Sequence, residues 1–108
     1  PFLVVSQDKV TQMGATGLPV GVFCDEQFPI HQVNLTPGQI LFLYSDGLSE
    51  TKDAKGMEYG TEKLLKLAGG FYKLTPEEII SACIKDLRDF HGNSEWDDDL
   101  TIMTIRRE

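Results

Sequence analysis

Five apolar residues run without a polar break from Ile40 to Tyr44, and this run most constrains how the chain can fold. A run so short and unbroken is typical of a strand covered on both faces in the middle of a packed sheet. It stops at Ser45-Asp46-Gly47. Because Asp-Gly is a strong turn signal, a plain turn is the simpler interpretation of this segment alone. The alternative is that Asp46 is a metal ligand held at the end of a stiff strand.

The composition of the 108-residue chain fits one compact domain with a modest core. Hydrophobic residues make up 41% of the chain and charged residues 25%, and these values argue against disorder. The formal net charge of −7 disfavours binding to nucleic-acid phosphates and to anionic membranes. The same acidic balance is compatible with divalent cations and with cationic partners.

Cysteine usage predicts neither a metal centre nor a disulfide. Cys24 and Cys83 are far apart in the sequence, and Cys83 falls on the apolar face of a predicted helix. We therefore expect a buried free thiol at Cys83 and a reducing cytoplasm as the compartment. No apolar run approaches membrane-spanning length. Since the chain begins at Pro1 and enters a predicted strand at once, we expect it to be a piece of something longer.

Several apolar or alternating segments predict strands, and a short polar stretch joins the first two as a hairpin. The predicted strands are Phe2–Val5, Val10–Gln12, Phe28–Leu35, Ile40–Tyr44 and Leu100–Ile105. Glycines and a proline within residues 14–22 indicate an irregular loop. Thr36-Pro37-Gly38 predicts a tight turn into the central strand.

Two helices are predicted after the central strand, following a mostly polar loop over residues 48–59. The first, Thr61–Ala68, stops at a pair of glycines. The second begins with a capping box, in which Thr75 is the cap, a proline takes the first helical position and Glu78 completes the box. Its apolar residues all fall on one face: Ile79, Ile80, Cys83, Ile84, Leu87 and Phe90.

A second group of carboxylates, Asp97-Asp98-Asp99, stands immediately before the last predicted strand. Charge runs are usually solvated loops, and that is the simpler interpretation of this one. If the last strand pairs with the central strand, however, these acids and Asp46 reach the same edge of one sheet. Oxygen ligands that converge there would suit a hard cation, Mg²⁺ or Mn²⁺. The ligand spacing of a helix–loop–helix calcium site is absent.

Five short motifs follow one another along almost the whole chain. They are Thr16–Val22, Leu35–Gln39, Leu43–Glu50, Gly56–Gly60 and Asp97–Thr101. In this order and at this spacing, the motifs resemble the SpoIIE/RsbU-type branch of the bacterial metal-dependent (PPM) serine/threonine protein phosphatases.

The resemblance implies an α+β fold that is part of an α/β/β/α sandwich with mainly antiparallel sheets and a closing C-terminal strand. It also implies two Mn²⁺ or Mg²⁺ ions and hydrolysis of phosphoserine or phosphothreonine by a metal-activated water, without a side-chain nucleophile. Asp46 and Asp98 match the family's metal ligands. Asp99, Gly47 and Glu50 are candidates for residues that hold those ligands in place without binding the metal themselves.

By the same resemblance, the substrate is a phosphorylated anti-sigma-factor antagonist of the STAS type, and a sensor or regulatory domain accompanies the phosphatase. The chain departs from the family in having nothing that matches the aspartate bridging both metals. We therefore interpret residues 1–108 as a single partial domain, the C-terminal portion of such a phosphatase, with an incomplete metal site. Exposed apolar edges and a homodimer, formed by association or by swapping, are expected.

The remaining conspicuous side chains are interpreted as structural. His91 stands at a helix end, where a cation is favoured, and His31 lies in a predicted strand. Trp96 is expected to pin the acidic loop by packing. Since the bridging acid is missing, a non-catalytic interaction module or a degenerate phosphatase fragment in a signalling protein stays open as the alternative function.

Overall fold

The computed structural model describes residues 1–13, 32–92 and 99–108, and the fold is given for these ranges. They form the mixed α+β fold that was predicted. In chain order the elements are β1 (Phe2–Val5), β2 (Val10–Met13), β3 (Ile40–Tyr44), α1 (Asp46–Ser49), α2 (Gly60–Ala68), a 3-10 turn (Phe71–Lys73), α3 (Pro76–His91) and β4 (Ile102–Arg106). Within the described ranges, no helix is both long and apolar enough to cross a bilayer.

The strands form one four-stranded sheet in the order β2-β1-β3-β4, and every neighbouring pair is antiparallel. The predicted hairpin is confirmed, with Val5 opposite Val10 and Phe2 opposite Met13. The apolar run is confirmed as an inner strand, because β3 is hydrogen-bonded on both sides. The tight turn before β3 is also confirmed, since Gly38 has a φ of 88°, which favours glycine.

The last strand pairs directly with the central one, which is the condition for bringing the two acidic segments to one edge. Tyr44 lies opposite Ile102, and Ile40 lies opposite Arg106. Because this pairing is antiparallel, the end of β3 meets the beginning of β4. The residues that follow Tyr44 and those that precede Ile102 therefore leave the sheet side by side.

One face of the sheet packs against the helical layer to form the core. Phe42 has no exposed surface, and its ring centroid lies 5.3 Å from that of Phe71 in the 3-10 turn. Burying one such side chain stabilises the fold by about 1.5–3 kcal/mol. The buried apolar residues of this core are Leu3, Val5, Ile40, Phe42, Tyr44, Leu48, Tyr59, Leu64, Ala68, Phe71, Ile79, Cys83 and Leu87.

The opposite face of the sheet is apolar but only partly covered by the described residues. Leu41 and Leu43 are half-buried there and line a shallow cavity of about 290 Å³. Beside them on β4, Met103 is 56% exposed and Ile105 is 46% exposed. The expectation that the central strand is covered on both faces is therefore met on one face only within the described part of the chain.

Helix α3 begins at the predicted capping box. The Glu78 N–H donates to Thr75 Oγ1 at 3.2 Å, and the Thr75 N–H donates to Glu78 Oε1 at 3.0 Å. These two bonds satisfy backbone donors that the first helical turn would otherwise leave free. The predicted apolar face is confirmed, and Ile79, Cys83 and Leu87 are fully buried on it.

Cys83 is a buried free thiol, as predicted. Burial raises the pKa of this thiol to about 12, with a smaller contribution from the negative charge of Asp86. The group therefore remains neutral at physiological pH and packs as a small apolar side chain. Cys24 lies outside the described residues.

The segment between β3 and α2 contains order that its polar pattern did not predict. A one-turn helix, α1, precedes the two predicted helices, and Lys52 forms an isolated bridge with Glu58. Between them, Asp53 Oδ1 accepts two backbone N–H groups at 2.9 Å each. The bond from Met57 N–H above all holds the pKa of Asp53 below its usual value. A side chain thus replaces the ladder hydrogen bonds that a regular element would supply.

The strand predicted at residues 28–35 is wrong over its described part, residues 32–35, and the rest of it lies outside the described residues. Val33 and Leu35 are half-buried between exposed neighbours, so the alternation itself is present. No described strand pairs with this segment, and the Leu35 carbonyl instead accepts from the Arg107 guanidinium. Alternation indicates which side of a segment is covered, but it does not supply a partner strand. The predicted loop at residues 14–22 lies outside the described residues.

Candidate functional site

Asp46 stands where β3 ends and α1 begins. The Ser45 N–H donates to the Thr101 carbonyl at 2.9 Å, so the ladder between β3 and β4 continues one residue beyond Tyr44. Asp46 is then the first residue of α1, and its side chain is exposed. The carboxylate is therefore carried directly after the last hydrogen-bonded position of an inner strand, where a ligand is held stiffly.

Asp99 lies beside this position, at the approach to β4. The Thr101 N–H donates to Ser45 Oγ at 3.0 Å, and Ser45 Oγ is 3.5 Å from the Asp99 carbonyl oxygen. The same carbonyl lies against Gly47, where an added Cβ would come closer than 3.0 Å to the oxygen. The side chain of Asp99 is exposed. The fold thus brings Asp46 and Asp99 to one edge of the sheet.

Thr51 supports α1 from the interior side. Its side chain is 6% exposed, and its Oγ1 donates to the Gly47 carbonyl at 2.7 Å. Its own carbonyl accepts from the Tyr59 N–H at 2.6 Å. Because Tyr59 immediately precedes α2, these bonds connect the short helix that carries Asp46 to the main helical layer.

The charge at this edge is negative. Asp46, Glu50 and Asp99 are all exposed, and the Glu50 N–H closes α1 by donating to the Asp46 carbonyl at 2.9 Å. Burial raises the pKa of Tyr44 above its usual value; a hydrogen bond with Gln12 opposes this rise and the negative charge of Asp46 adds to it. Tyr44 therefore stays neutral at physiological pH and adds no charge to the edge.

The structure brings together the predicted site residues that fall within the described ranges. Gly47 follows Asp46 within α1, Glu50 comes directly after α1, and Asp99 lies next to Gly47. Asp98, the second predicted ligand, lies outside the described residues, as does Trp96.

Two residues of this site were missed by the sequence reasoning. Ser45 and Thr51 form the hydrogen bonds that fix α1 and the approach to β4, but both are ordinary polar residues in the sequence. The bond from Thr101 N–H to Ser45 Oγ spans 56 positions of the chain. A side-chain partner at that separation leaves no local pattern, so only the pairing of β3 with β4 could have indicated it.

His91 is not part of this site. His91 is 5% exposed, and its Nδ1 lies 2.7 Å from the Lys52 carbonyl oxygen. It thereby ties the end of α3 to the segment that follows α1, in agreement with a structural role. His31 lies outside the described residues.

The donor chemistry of this edge fits a hard cation. Carboxylate oxygens, such as those of Asp46 and Asp99, are the ligands that Mg²⁺ and Mn²⁺ prefer. Within residues 1–13, 32–92 and 99–108, no three potential metal-binding side chains form a group. Asp46 and Asp98 stay the predicted metal ligands, and Asp99 stays a predicted supporting residue.

Comparison with known proteins identifies the family of this chain. A family model for Stage II sporulation protein E (SpoIIE) matches residues 1–108. The chain belongs to the SpoIIE family. Protein IcfG from Synechocystis sp. is 25% identical to this SpoIIE-family chain over 107 residues, which make up 98% of this chain and 17% of IcfG.

Solved structures show which fold the SpoIIE-family chain adopts. The SiaA-PP2C domain of Pseudomonas aeruginosa matches 99% of this chain and 42% of its own, at 18% identity and a TM-score of 0.81. A SpoIIE structure from Bacillus subtilis, which holds the PP2C phosphatase domain and a fragment of the regulatory domain, matches 97% of this chain and 30% of its own, at 22% identity and a TM-score of 0.79. The chain therefore has the fold of part of a PP2C domain, and it spans less than half the length of either structure.

Proposed function

We propose that this chain is part of a metal-dependent protein phosphatase domain that hydrolyses phosphoserine or phosphothreonine on a regulatory protein. The observation that carries the proposal is the antiparallel pairing of β3 with β4, with Asp46 and Asp99 at the same sheet edge. Membership of the SpoIIE family and the PP2C fold support the same class of reaction. The proposed metal ligands are Asp46 and Asp98, and the proposed ions are Mn²⁺ or Mg²⁺.

In this proposal the chain supplies carboxylate ligands for the metal and keeps them exposed to solvent in a fixed position. Asp46 keeps its carboxylate in solvent at the end of a rigid strand, and Ser45 and Thr51 keep that end of the strand and α1 in place. When bound, a divalent cation lowers the pKa of a coordinated water and neutralises phosphate oxygens. No side-chain nucleophile is then required, which agrees with the neutral, buried state of Cys83.

The proposed partners follow from the sequence resemblance. The substrate would be a phosphorylated anti-sigma-factor antagonist of the STAS type, and a sensor or regulatory domain would accompany the phosphatase. A regulatory-domain fragment is present in the matched Bacillus subtilis SpoIIE structure, which supports the second point. Because Cys83 is a free thiol, we keep the cytoplasm as the proposed compartment.

We further propose that hydrolysis requires the rest of a PP2C domain. The chain covers 42% of the matched SiaA chain and 30% of the matched SpoIIE chain. The described part also contains no group of three potential ligands. We therefore expect metal binding by this chain but little phosphatase activity from it alone.

The test is a Mn²⁺ titration monitored by calorimetry, carried out on the wild type and on three single variants. We expect Asp46→Ala and Asp98→Ala each to weaken Mn²⁺ binding by roughly tenfold or more, because each removes a proposed ligand. Asp89→Ala is the matched control, since it removes an exposed acid on α3. An unchanged affinity in Asp46→Ala would show that the ligand assignment is wrong.

A non-catalytic interaction module is the second candidate function. It is favoured by the small described donor set and by the partly exposed apolar face of the sheet. Under this alternative, Mn²⁺ binding is weak in the wild type and is equally weak in Asp46→Ala and Asp89→Ala. The same titration therefore separates the two candidates.

A further inference from the structure

Position 47 requires a glycine because there is no room for a side chain, and not because of its backbone conformation. The described glycines with a positive φ are Gly38, Gly56, Gly60 and Gly92, and Gly47 is not among them. An added Cβ at Gly47 would, however, meet the Asp99 carbonyl oxygen at less than 3.0 Å and the Asp99 carbonyl carbon at 3.3 Å. Real Cβ atoms essentially never approach so closely. The absence of a side chain at Gly47 therefore lets the backbone of Asp99 lie directly on α1.

Ser45 fixes the same backbone through hydrogen bonds. Its N–H donates to the Thr101 carbonyl at 2.9 Å, and its Oγ accepts from the Thr101 N–H at 3.0 Å. The backbone N–H and C=O of Thr101 are thus both hydrogen-bonded to Ser45. These two hydrogen bonds set the distance between the residue after Ser45 and the residues before Thr101.

Thr51 holds the other side of Gly47. Its buried Oγ1 donates to the Gly47 carbonyl at 2.7 Å, so α1 cannot move away from Asp99 without leaving a buried hydroxyl unpaired. An unpaired buried polar group destabilises the folded state. Gly47 is therefore held between Thr51 inside and Asp99 outside.

From these contacts we propose that Ser45, Gly47 and Thr51 are positioning residues for the carboxylates at this sheet edge. They set where the segment that leads into β4 lies relative to Asp46, and so they determine whether Asp46 and the acidic residues that precede β4 can reach one cation. The inference rests on the proposed metal-binding function. None of the three contributes a side chain that must touch the metal or the substrate.

The first test compares two glycine-to-alanine variants of the chain by Mn²⁺ calorimetry. Gly47→Ala forces the Asp99 carbonyl to move, and we expect Mn²⁺ affinity to fall by roughly tenfold or more, as for other residues that orient ligands. Gly70→Ala is the matched control, because a Cβ there meets its nearest neighbour at an ordinary 3.7 Å. We expect Gly70→Ala to retain the wild-type affinity.

The second test uses the hydroxyl of Ser45 and needs no metal. Ser45→Ala removes the acceptor of the Thr101 N–H, so we expect faster hydrogen exchange of the Thr101 amide as well as weaker Mn²⁺ binding. Ser45→Thr keeps a hydroxyl at the same position and should restore both. The exchange measurement reports the link between the strands directly, whereas loss of global stability alone would affect amides throughout the sheet.

The outcomes separate this inference from the proposed function. If Asp46→Ala abolishes Mn²⁺ binding while Gly47→Ala and Ser45→Ala bind as the wild type does, the function stands and the positioning role is wrong. If Mn²⁺ binding does not depend on Asp46, both proposals fall. Weaker binding in Gly47→Ala and Ser45→Ala, with normal binding in Gly70→Ala and Ser45→Thr, supports the positioning role.

Discussion

Single residues of the helical layer are neutral groups placed where a charge would be costly. Tyr59 is buried, and its hydroxyl donates to the Asp86 carboxylate on α3. Burial, more than that hydrogen bond, raises the pKa of Tyr59. Burial also raises the pKa of Cys83, one turn before Asp86, to about 12, and the negative charge of Asp86 adds to this rise. The interior of this layer therefore depends on protonated side chains.

Cys83 provides a pH-dependent prediction. Since its pKa rises from 9.0 in the unfolded chain to about 12 in the native state, the native state holds a proton that the unfolded state has lost in between. This contribution to stability is complete below pH 9 and is lost as pH rises towards about 12. We expect the free energy of unfolding, measured with urea, to fall more steeply over that range in the wild type than in Cys83→Ala. Parallel pH profiles of the two proteins would contradict this expectation.

For single residues, the sequence indicated the candidate metal ligand but not the residues whose hydrogen bonds fix its position. Asp46 was identified as a candidate from its place after an apolar run, and the structure puts it at the predicted sheet edge. Ser45 and Thr51 carried no comparable signal. Their function lies in bonds to Thr101 and Gly47, and which carbonyl or amide a hydroxyl meets is decided by the three-dimensional fold.

The elements that the sequence predicted well are those specified by their own local residues. The hairpin of β1 and β2 follows from two segments that flank a short polar stretch, and α3 follows from its capping box. Residues 32–35 alternate between apolar and polar side chains, yet they form no described strand, because pairing depends on a partner elsewhere in the chain. Helix α1 was not predicted, since its single turn is too short to produce a periodic pattern and is fixed by Thr51.

The capping box of α3 gives a prediction at the scale of one element. Replacing Thr75 by alanine removes the acceptor for the Glu78 N–H, so we expect a loss of about 1 kcal/mol in the free energy of unfolding. Urea denaturation monitored by circular dichroism measures this loss in the free energy of unfolding. Ser81→Ala, at an exposed position within the same helix, is the control and should change stability much less. Equal stabilities for the two variants would mean that the box contributes nothing.

Within residues 1–13, 32–92 and 99–108, the two faces of the sheet differ, because one packs against helices and the other is only partly covered. Leu41 and Leu43 are half-buried on the open face, and Met103 and Ile105 are exposed beside them. Apolar surface of this kind favours association with other apolar surface. The homodimer expected from exposed apolar edges stays a prediction, and this face is the apolar surface on which we expect the chain to associate.

A charge on the open face tests that prediction. Ile105→Lys places a cation among the apolar residues of the face, where a second copy could not bury it without cost. We expect sedimentation equilibrium to show concentration-dependent association of the wild type and a shift towards monomer in Ile105→Lys. Ser81→Lys adds the same charge on the helical layer and should associate as the wild type does. If both lysine variants behave alike, the open face is not responsible for association.

The pairing of β3 with β4 also has a consequence for the order in which the molecule can be assembled. Ser45 is synthesised 56 residues before Thr101, the residue whose backbone it binds. Until the polypeptide leaving the ribosome includes β4, Gly47 has no carbonyl lying over it and Phe42 lacks one neighbouring strand. The acidic edge therefore cannot be completed before β4 has been synthesised.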